Sequence, residues 1–277
     1  MGIRKVGDTQ IEPLDSNQPH PAVSKSPADS EHSHPFQVTA VSHRFGAVDV
    51  LREISLVIDR GEFVAVVGPS GCGKTTLLNL LSGYEQPSSG KVERRGQVRM
   101  VYQMDGLFPW MTVAENIALG LRHLPGANER RVQIGDMVRL IELQGFENHY
   151  PHQLSGGMRQ RVELARALAG DSDILLMDEP FSSLDYLTRL RMRQELAHLL
   201  RERPRTVVLV THDIEEAAQL ADRVIVLTGR PGEIRRELSI HTARPRALTH
   251  TEVVSATRII LAELGIENDA GGAGAVR

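Results

Sequence analysis

The stretch "FVAVVGPSGCGKTT", Phe63 to Thr76, decides the architecture. Five apolar residues in succession, with no polar alternation, read as a strand buried on both faces, the habit of parallel sheets covered by helices. "TTLLNLLSG" continues as a helix ending at Gly83. Between the two, Gly68, Gly73, Lys74 and Thr75 satisfy the spacing G-x-x-x-x-G-K-[ST], with a strand before and a helix after. Along Gly68, Pro69, Ser70, Gly71, Cys72, Gly73, Lys74, Thr75 and Thr76, backbone N–H groups can wrap phosphates. Lys74 can neutralise β- and γ-oxygens, the Thr75 hydroxyl can ligate Mg²⁺, and the helix N-terminus adds a field that favours anions. The stretch reads as a nucleoside triphosphate cradle, in which Cys72 is a tolerated small residue rather than a redox switch.

Working outward, strands and helices alternate. "FQVTAVSHRF" and "REISLVI" read as strands upstream, and "VRMVYQ", "ILLMDEP", "TVVLVTHD" and "RVIVLTG" as strands downstream, with "RVIVLTG" closing the series. "MRQRVELARALAG", "TRLRMRQELAHLLRER" and the Asp213-led "DIEEAAQLA" read as helices between them. In the second of these, Met192, Leu196, Leu199 and Leu200 share one face. Such alternation predicts an α/β domain around a mainly parallel sheet. Residues 1–35 hold Pro13, Pro19, Pro21, Pro27 and Pro35 with many serines and histidines, and read as a disordered extension. The domain is expected over 36–240, and 241–277 as one helix, "TEVVSATRIILAELG", followed by a flexible tail.

Composition narrows the class. A chain of 277 residues, 41% hydrophobic and 24% charged, can bury a sizeable core. A net charge of −3 supplies no basic field for nucleic acid, which is not expected as a partner. The single cysteine excludes an internal disulfide, and no run approaches the ~18 apolar residues of a membrane span. If the protein serves a membrane, another chain must cross it.

The cradle alone leaves kinase, GTPase, motor and transporter ATPase open. "ILLMDE" delivers Asp178 and Glu179 to the C-terminal edge of a buried strand, where open α/β sheets bind ligands. Asp178 suits Mg²⁺, and Glu179 suits orienting and deprotonating an attacking water. "VVLVTHD" brings His212 to the same edge, within range of a γ-phosphate. "LSGGM", Leu154 to Met158, opens a second helix with Ser155, Gly156 and Gly157, and so makes a second phosphate-seeking N-terminus. One nucleotide does not need two cradles from one chain. A head-to-tail dimer, in which the second cradle meets the partner's nucleotide, is the physical reading.

With these residues in this order, the sequence resembles the ATP-binding subunits of ABC transporters over about residues 36–240. "GPSGCGKTT" is similar to Walker A, Gln103 in "VYQ" to the Q-loop, "LSGGM" to the signature, "ILLMDE" to Walker B, "SSLD" to the D-loop, and His212 to the switch histidine. The resemblance implies a P-loop NTPase fold with a mainly parallel core sheet, an N-terminal antiparallel β part and a helical signature subdomain. It implies ATP and Mg²⁺ as cofactors, with Lys74, Gln103, Glu179 and His212 as catalytic residues and Thr75, Gln103 and Asp178 around the metal. Ser155, Gly156 and Gly157 would bind the γ-phosphate across a homodimer, and Asp185 would communicate between its two sites. Phe45 sits where the family places an aromatic that stacks on adenine; a core phenylalanine is the alternative. Met158 departs from the family's usual glutamine.

"GLFPWMTVAENIALGL", "MDEPFSSLDYLTR" and "GRPGEI" look most like the importer group for nitrate, sulfonates and taurine, and the short C-terminus agrees. That group implies multipass membrane permease subunits, a periplasmic or lipid-anchored solute-binding protein indirectly, and residence on the cytoplasmic face of the inner membrane. Phe108 and Trp110 suit either a groove for a permease helix or plain core packing. Two other readings stand beside this one. A soluble ABC ATPase of DNA repair, chromosome structure or translation usually shows insertions or a fused second cassette, and a small-molecule kinase would not need "LSGGM" or His212.

Overall fold

The computed structural model describes residues 34–102 and 106–266. The N-terminal extension up to residue 33, Gln103 and the Gly-rich C-terminal tail lie outside the described residues.

Two sheets organise the chain. β1 (Phe36–Phe45), β2 (Val48–Ile58) and β4 (Ser89–Arg94) form an antiparallel three-stranded sheet in the order β2-β1-β4. The larger sheet has six strands, β5 (Val98–Val101), β6 (Ile174–Asp178), β7 (Thr206–Val210), β3 (Phe63–Val67), β8 (Arg223–Leu227) and β9 (Ile234–Ser239), listed in spatial order. The first five run parallel, and β9 pairs antiparallel with β8. The series therefore does not close at "RVIVLTG". β9 reads "IRRELS", too polar to announce itself, because it is an edge strand with its ladder on one side only.

β3 is buried along its whole length. Phe63, Ala65 and Val67 face one hydrophobic cluster, Val64 and Val66 the other, so the unbroken apolar run is a strand with no solvent face. Each of its valines and Phe63 contributes about 1.5–3 kcal/mol on full burial. The second cluster takes in α1 (Lys74–Ser82) and the small sheet. The first takes in α2 (Val113–Ala118), α3 (Ala127–Leu140), α4 (Gly156–Ala169), α5 (Tyr186–Glu202), α6 (Ile214–Leu220) and α7 (Thr251–Glu263). Met192, Leu196 and Leu200 of α5 are buried there and Leu199 packs against them, as their spacing predicts.

α2, α3 and α4 pack on one another, forming the helical part that carries "LSGGM" at the start of α4. α7 packs on α6 and β9 and sends Val253, Ala256 and Ile260 into the main core. Arg246, fully buried, fastens the segment leading to α7: its guanidinium donates to the carbonyls of Ala221 at 2.6 Å and Thr242 at 2.6 Å.

Candidate nucleotide site

β6, β7 and β3 are neighbours in the sheet, so their C-terminal ends lie side by side. β6 ends on Asp178 with Glu179 directly after it, β7 leads to His212, and β3 leads into the loop Gly68–Gly73. Residues far apart in sequence are gathered at one edge by parallel pairing.

The loop fits tightly. Gly73 has φ +103, and a Cβ there would stand 2.7 Å from Leu51 Cδ2, so both the left-handed backbone and the contact with β2 require glycine. Gly73 is also the N-cap of α1 and makes no side-chain cap, leaving the first-turn N–H groups directed at the loop. Lys74 is 8% exposed, and its ammonium donates to the carbonyls of Gly68 at 2.8 Å and Pro69 at 3.1 Å. Cys72 is fully buried and burial pushes its thiol pKa up against the pull of Lys74, which suits an inert packing residue.

Asp178 is buried beside Thr75. Burial raises its pKa; the hydrogen bond from Thr75 and the Lys74 charge oppose that, and the Glu179 charge adds to it. A buried carboxylate bonded to a hydroxyl is a hard oxygen pair of the kind that holds Mg²⁺ alongside phosphate oxygens, so the donor set fits that ion. Among the described residues no group of three or more His, Cys, Asp or Glu could hold a metal by itself.

Glu179 Oε1 lies 3.1 Å from His212 Nδ1. Gln160 of α4, buried, anchors the turn that follows: its Nε2 donates to the Glu179 carbonyl at 3.0 Å, and its Oε1 accepts from Ser183 N–H at 3.1 Å and from the Ser183 hydroxyl. Sequence reading missed Gln160. Its only signal was a polar residue on the inner face of an amphipathic helix, adjacent to "LSGGM".

Ser155 caps α4, its hydroxyl accepting from Met158 N–H at 3.2 Å. Gly156 is exposed beside it, and a Cβ on Gly157 would stand 3.1 Å from the Ser183 carbonyl, so glycine there lets α4 close on the turn before Asp185. Asp185 caps α5 through Thr188 N–H at 3.1 Å; hydrogen bonds from the Thr188 hydroxyl and then from its N–H hold the Asp185 carboxyl below the usual range. Phe45 is 51% exposed at the end of β1, which removes the core alternative, and packs edge-on against His43 at 4.7 Å. β2, paired with it, carries the Val50 and Leu51 that touch Gly73, so Phe45 belongs to the strand pair that flanks the loop.

Glu163 of α4 reaches both flanks of the Gln103 position: it accepts from Tyr102 N–H at 3.3 Å and Gly106 N–H at 2.6 Å, and Arg166 donates to the Gly106 carbonyl at 2.9 Å. Phe108 and Trp110 follow, partly exposed and in tilted contact at 5.4 Å. Met100, Phe108, Leu119, Arg122 and Arg166 line a groove of about 490 Å³.

Residues 51–182 match the ABC transporter family model. The chain is 46% identical to an aliphatic sulfonates import ATP-binding protein of Rhodococcus jostii, covering 76% of this chain and 85% of the relative. It is 44% identical to a taurine import ATP-binding protein of Burkholderia pseudomallei, covering 75% and 84%. Among solved structures, a dimeric ATP-binding cassette in a post-hydrolysis state with ADP and Pi superposes at TM-score 0.67, with 35% identity over 75% of this chain and 99% of the other.

Proposed function

This chain belongs to the ABC transporter ATP-binding family, and we propose that it is the ATP-hydrolysing subunit of an importer for small anionic solutes of the sulfonate, taurine or nitrate type. The convergence of Lys74, Asp178, Glu179 and His212 on three adjacent strand ends carries this reading. Lys74 and the N–H groups of the loop bind the β- and γ-phosphates. Thr75 and Asp178 would hold Mg²⁺, which when bound would supply neutralising charge to the phosphates. Glu179 orients the attacking water and takes its proton, and His212 donates to the γ-phosphate while its other nitrogen faces Glu179. Phe45 stacks on the base.

Ser155, Gly156 and Gly157 serve the nucleotide bound by a second copy, and Asp185 stands at the same face. The groove beside Phe108 and Trp110 takes a helix of the permease, and Glu163 and Arg166 hold the Tyr102 and Gly106 backbone beside that groove. Among the described residues no helix is long and apolar enough to cross a membrane, so the permease supplies the span. Relatives named as import proteins weigh against a role in DNA repair or translation.

Proteoliposomes carrying this chain with its permease and solute-binding protein test the reading. Taurine or an alkanesulfonate, or nitrate, should stimulate ATP hydrolysis and enter the lumen. No stimulation by any of the three would remove the solute assignment.

A further inference from the structure

His212 is held from outside the nucleotide cradle. Thr211 and Asp213 flank it in sequence, and together with Glu216 they form a closed set of hydrogen bonds. Thr211 Oγ1 accepts from Asp213 N–H at 2.9 Å and donates to Glu216 Oε2 at 2.9 Å, and Asp213 Oδ1 accepts from Glu216 N–H at 3.0 Å. The cations that balance these two carboxylates both come from α5. Arg193, 1% exposed, donates from Nη2 to Asp213 Oδ2 and stands 3.5 Å from Glu216 Oε2. Arg189, one turn earlier, donates from Nη1 to the same Asp213 oxygen at 3.2 Å and from Nη2 to the Leu184 carbonyl at 3.1 Å. Leu184 directly precedes Asp185, the N-cap of α5.

We propose that Arg193 and Arg189 are positioning residues for His212, tying the loop that carries it, through Asp213, to the Leu184–Asp185 turn at the start of α5. The physical reason is the buried charge balance. β7 ends at Val210 and α6 begins at Ile214, each fixed by its own backbone hydrogen bonds, so only Thr211, His212 and Asp213 connect them. Without the Arg193 guanidinium, Asp213 loses its buried donor from α5, and Glu216, already pushed up by burial, is driven further toward its neutral form, so the charged tie that fixes this short connection is lost. Released from Arg193, the connection can rotate and carry the imidazole away from Glu179. Conversely, a shift of the Leu184–Asp185 turn pulls Arg189 and, through the shared Asp213 oxygen, moves His212. A turn placed where a second copy would meet this one is thereby linked to the group beside the γ-phosphate.

The proposal rests on the assignment of His212 to the γ-phosphate. The full-length chain is compared as Arg193→Met, Arg193→Lys, His212→Gln and the double variant Arg193→Met with His212→Gln. The readouts are the MgATP turnover number, mant-ATP affinity, and the imidazole ¹H–¹⁵N spectrum, with the His212 signal identified by its loss in His212→Gln. Arg193→Met should lower kcat at least tenfold, leave mant-ATP affinity within threefold, and shift the His212 signal, with Arg193→Lys recovering part of the rate. In the His212→Gln background it should lower kcat by no more than twofold further, because both changes act through one group. An unmoved His212 signal, or a fully multiplicative rate loss in the double variant, overturns the proposal. If His212→Gln alone keeps full activity, the γ-phosphate assignment fails and the proposal with it, an outcome distinct from the other two. Should Arg193→Met fail to fold, Arg189→Met, whose side chain is 25% exposed, takes its place with an expected threefold or greater loss and the same non-additivity.

Discussion

Glu179 and His212, just past the ends of neighbouring strands, meet at 3.1 Å between Oε1 and Nδ1, and Glu179 makes that contact from a left-handed backbone with φ +47. An L-residue there costs about 1–2 kcal/mol. Hydrogen bonds hold it in place: Glu179 N–H donates to the Val210 carbonyl at 2.9 Å, and the Glu179 carbonyl accepts from Gln160 Nε2 at 3.0 Å and Ser182 Oγ at 3.0 Å. The strain sits on the residue that the proposed reaction uses as its base.

Glycine should therefore be better than alanine at this position. Glu179→Gly is expected to be more stable than Glu179→Ala by about 1 kcal/mol, since both lose the carboxylate and only glycine relieves the backbone. Denaturant midpoints of the two variants check this; equal midpoints would show that the φ carries no strain.

Glu179→Gln should keep MgATP affinity near that of the unaltered protein and lower hydrolysis by about 10²–10⁴-fold, the usual worth of a positioned base. Unable to turn over, it should accumulate as a dimer in MgATP. Single-turnover kinetics with size-exclusion chromatography read both effects.

Phe45→Ala should weaken ATP binding by about 0.5–1.5 kcal/mol, a factor of roughly 2 to 13, with Phe45→Trp retaining it. Titration calorimetry with ATP measures this, and inorganic triphosphate, which has no base to stack, should bind both variants equally.

Gly232 braces the cradle from behind. Its N–H donates to the Val50 carbonyl at 2.8 Å, and a Cβ on it would lie 2.2 Å from the Cys72 carbonyl oxygen. Gly232→Ala must displace backbone on one side or the other, and ATP affinity should fall at least tenfold although no atom of Gly232 belongs to the G-x-x-x-x-G-K-[ST] stretch. Isothermal titration at equal folded fraction, checked by circular dichroism, separates this from simple unfolding.

Glu216 gives the fold a pH dependence. Burial pushes its pKa up to about 7; the Arg193 charge opposes this, the Asp213 charge adds to it, and Thr211 and Arg189 lower it. The folded state thus holds the proton more tightly than the unfolded chain. This contribution to stability is complete below the unfolded value near 4.5 and is lost as pH rises through about 7. The melting temperature of the unaltered protein should fall between about pH 4.5 and pH 7 by a component that Glu216→Gln abolishes. Parallel melting curves for the two proteins across that range would contradict the assignment.

The Gly68–Thr76 turn, the Asp178–Glu179 pair and His212 were all legible in the sequence, because each lies at the end of an apolar run whose length and punctuation mark a buried strand. The order of motifs along the chain was legible for the same reason. Gln160, Glu163 and Arg193 were not. Each is a polar residue on a helix face that local periodicity counts as a break in the apolar stripe, and its partner, respectively Glu179, the Tyr102 and Gly106 amides, and Asp213, belongs to a different element.

By itself the sequence determined that Phe63–Val67 is a strand with no solvent face, that a glycine-rich turn leads from it into a helix at Lys74, and that Ser155 opens a second helix. Those properties follow from side-chain size, backbone freedom and hydrogen-bonding capacity within a few residues of one another. Only the tertiary structure decided that β6, β7 and β3 are adjacent, that Glu179 turns through a left-handed backbone to meet His212, and that Gly232 presses on Cys72. Strand order and close packing arise from the joint burial of many elements, and no window of sequence contains both partners of such a contact.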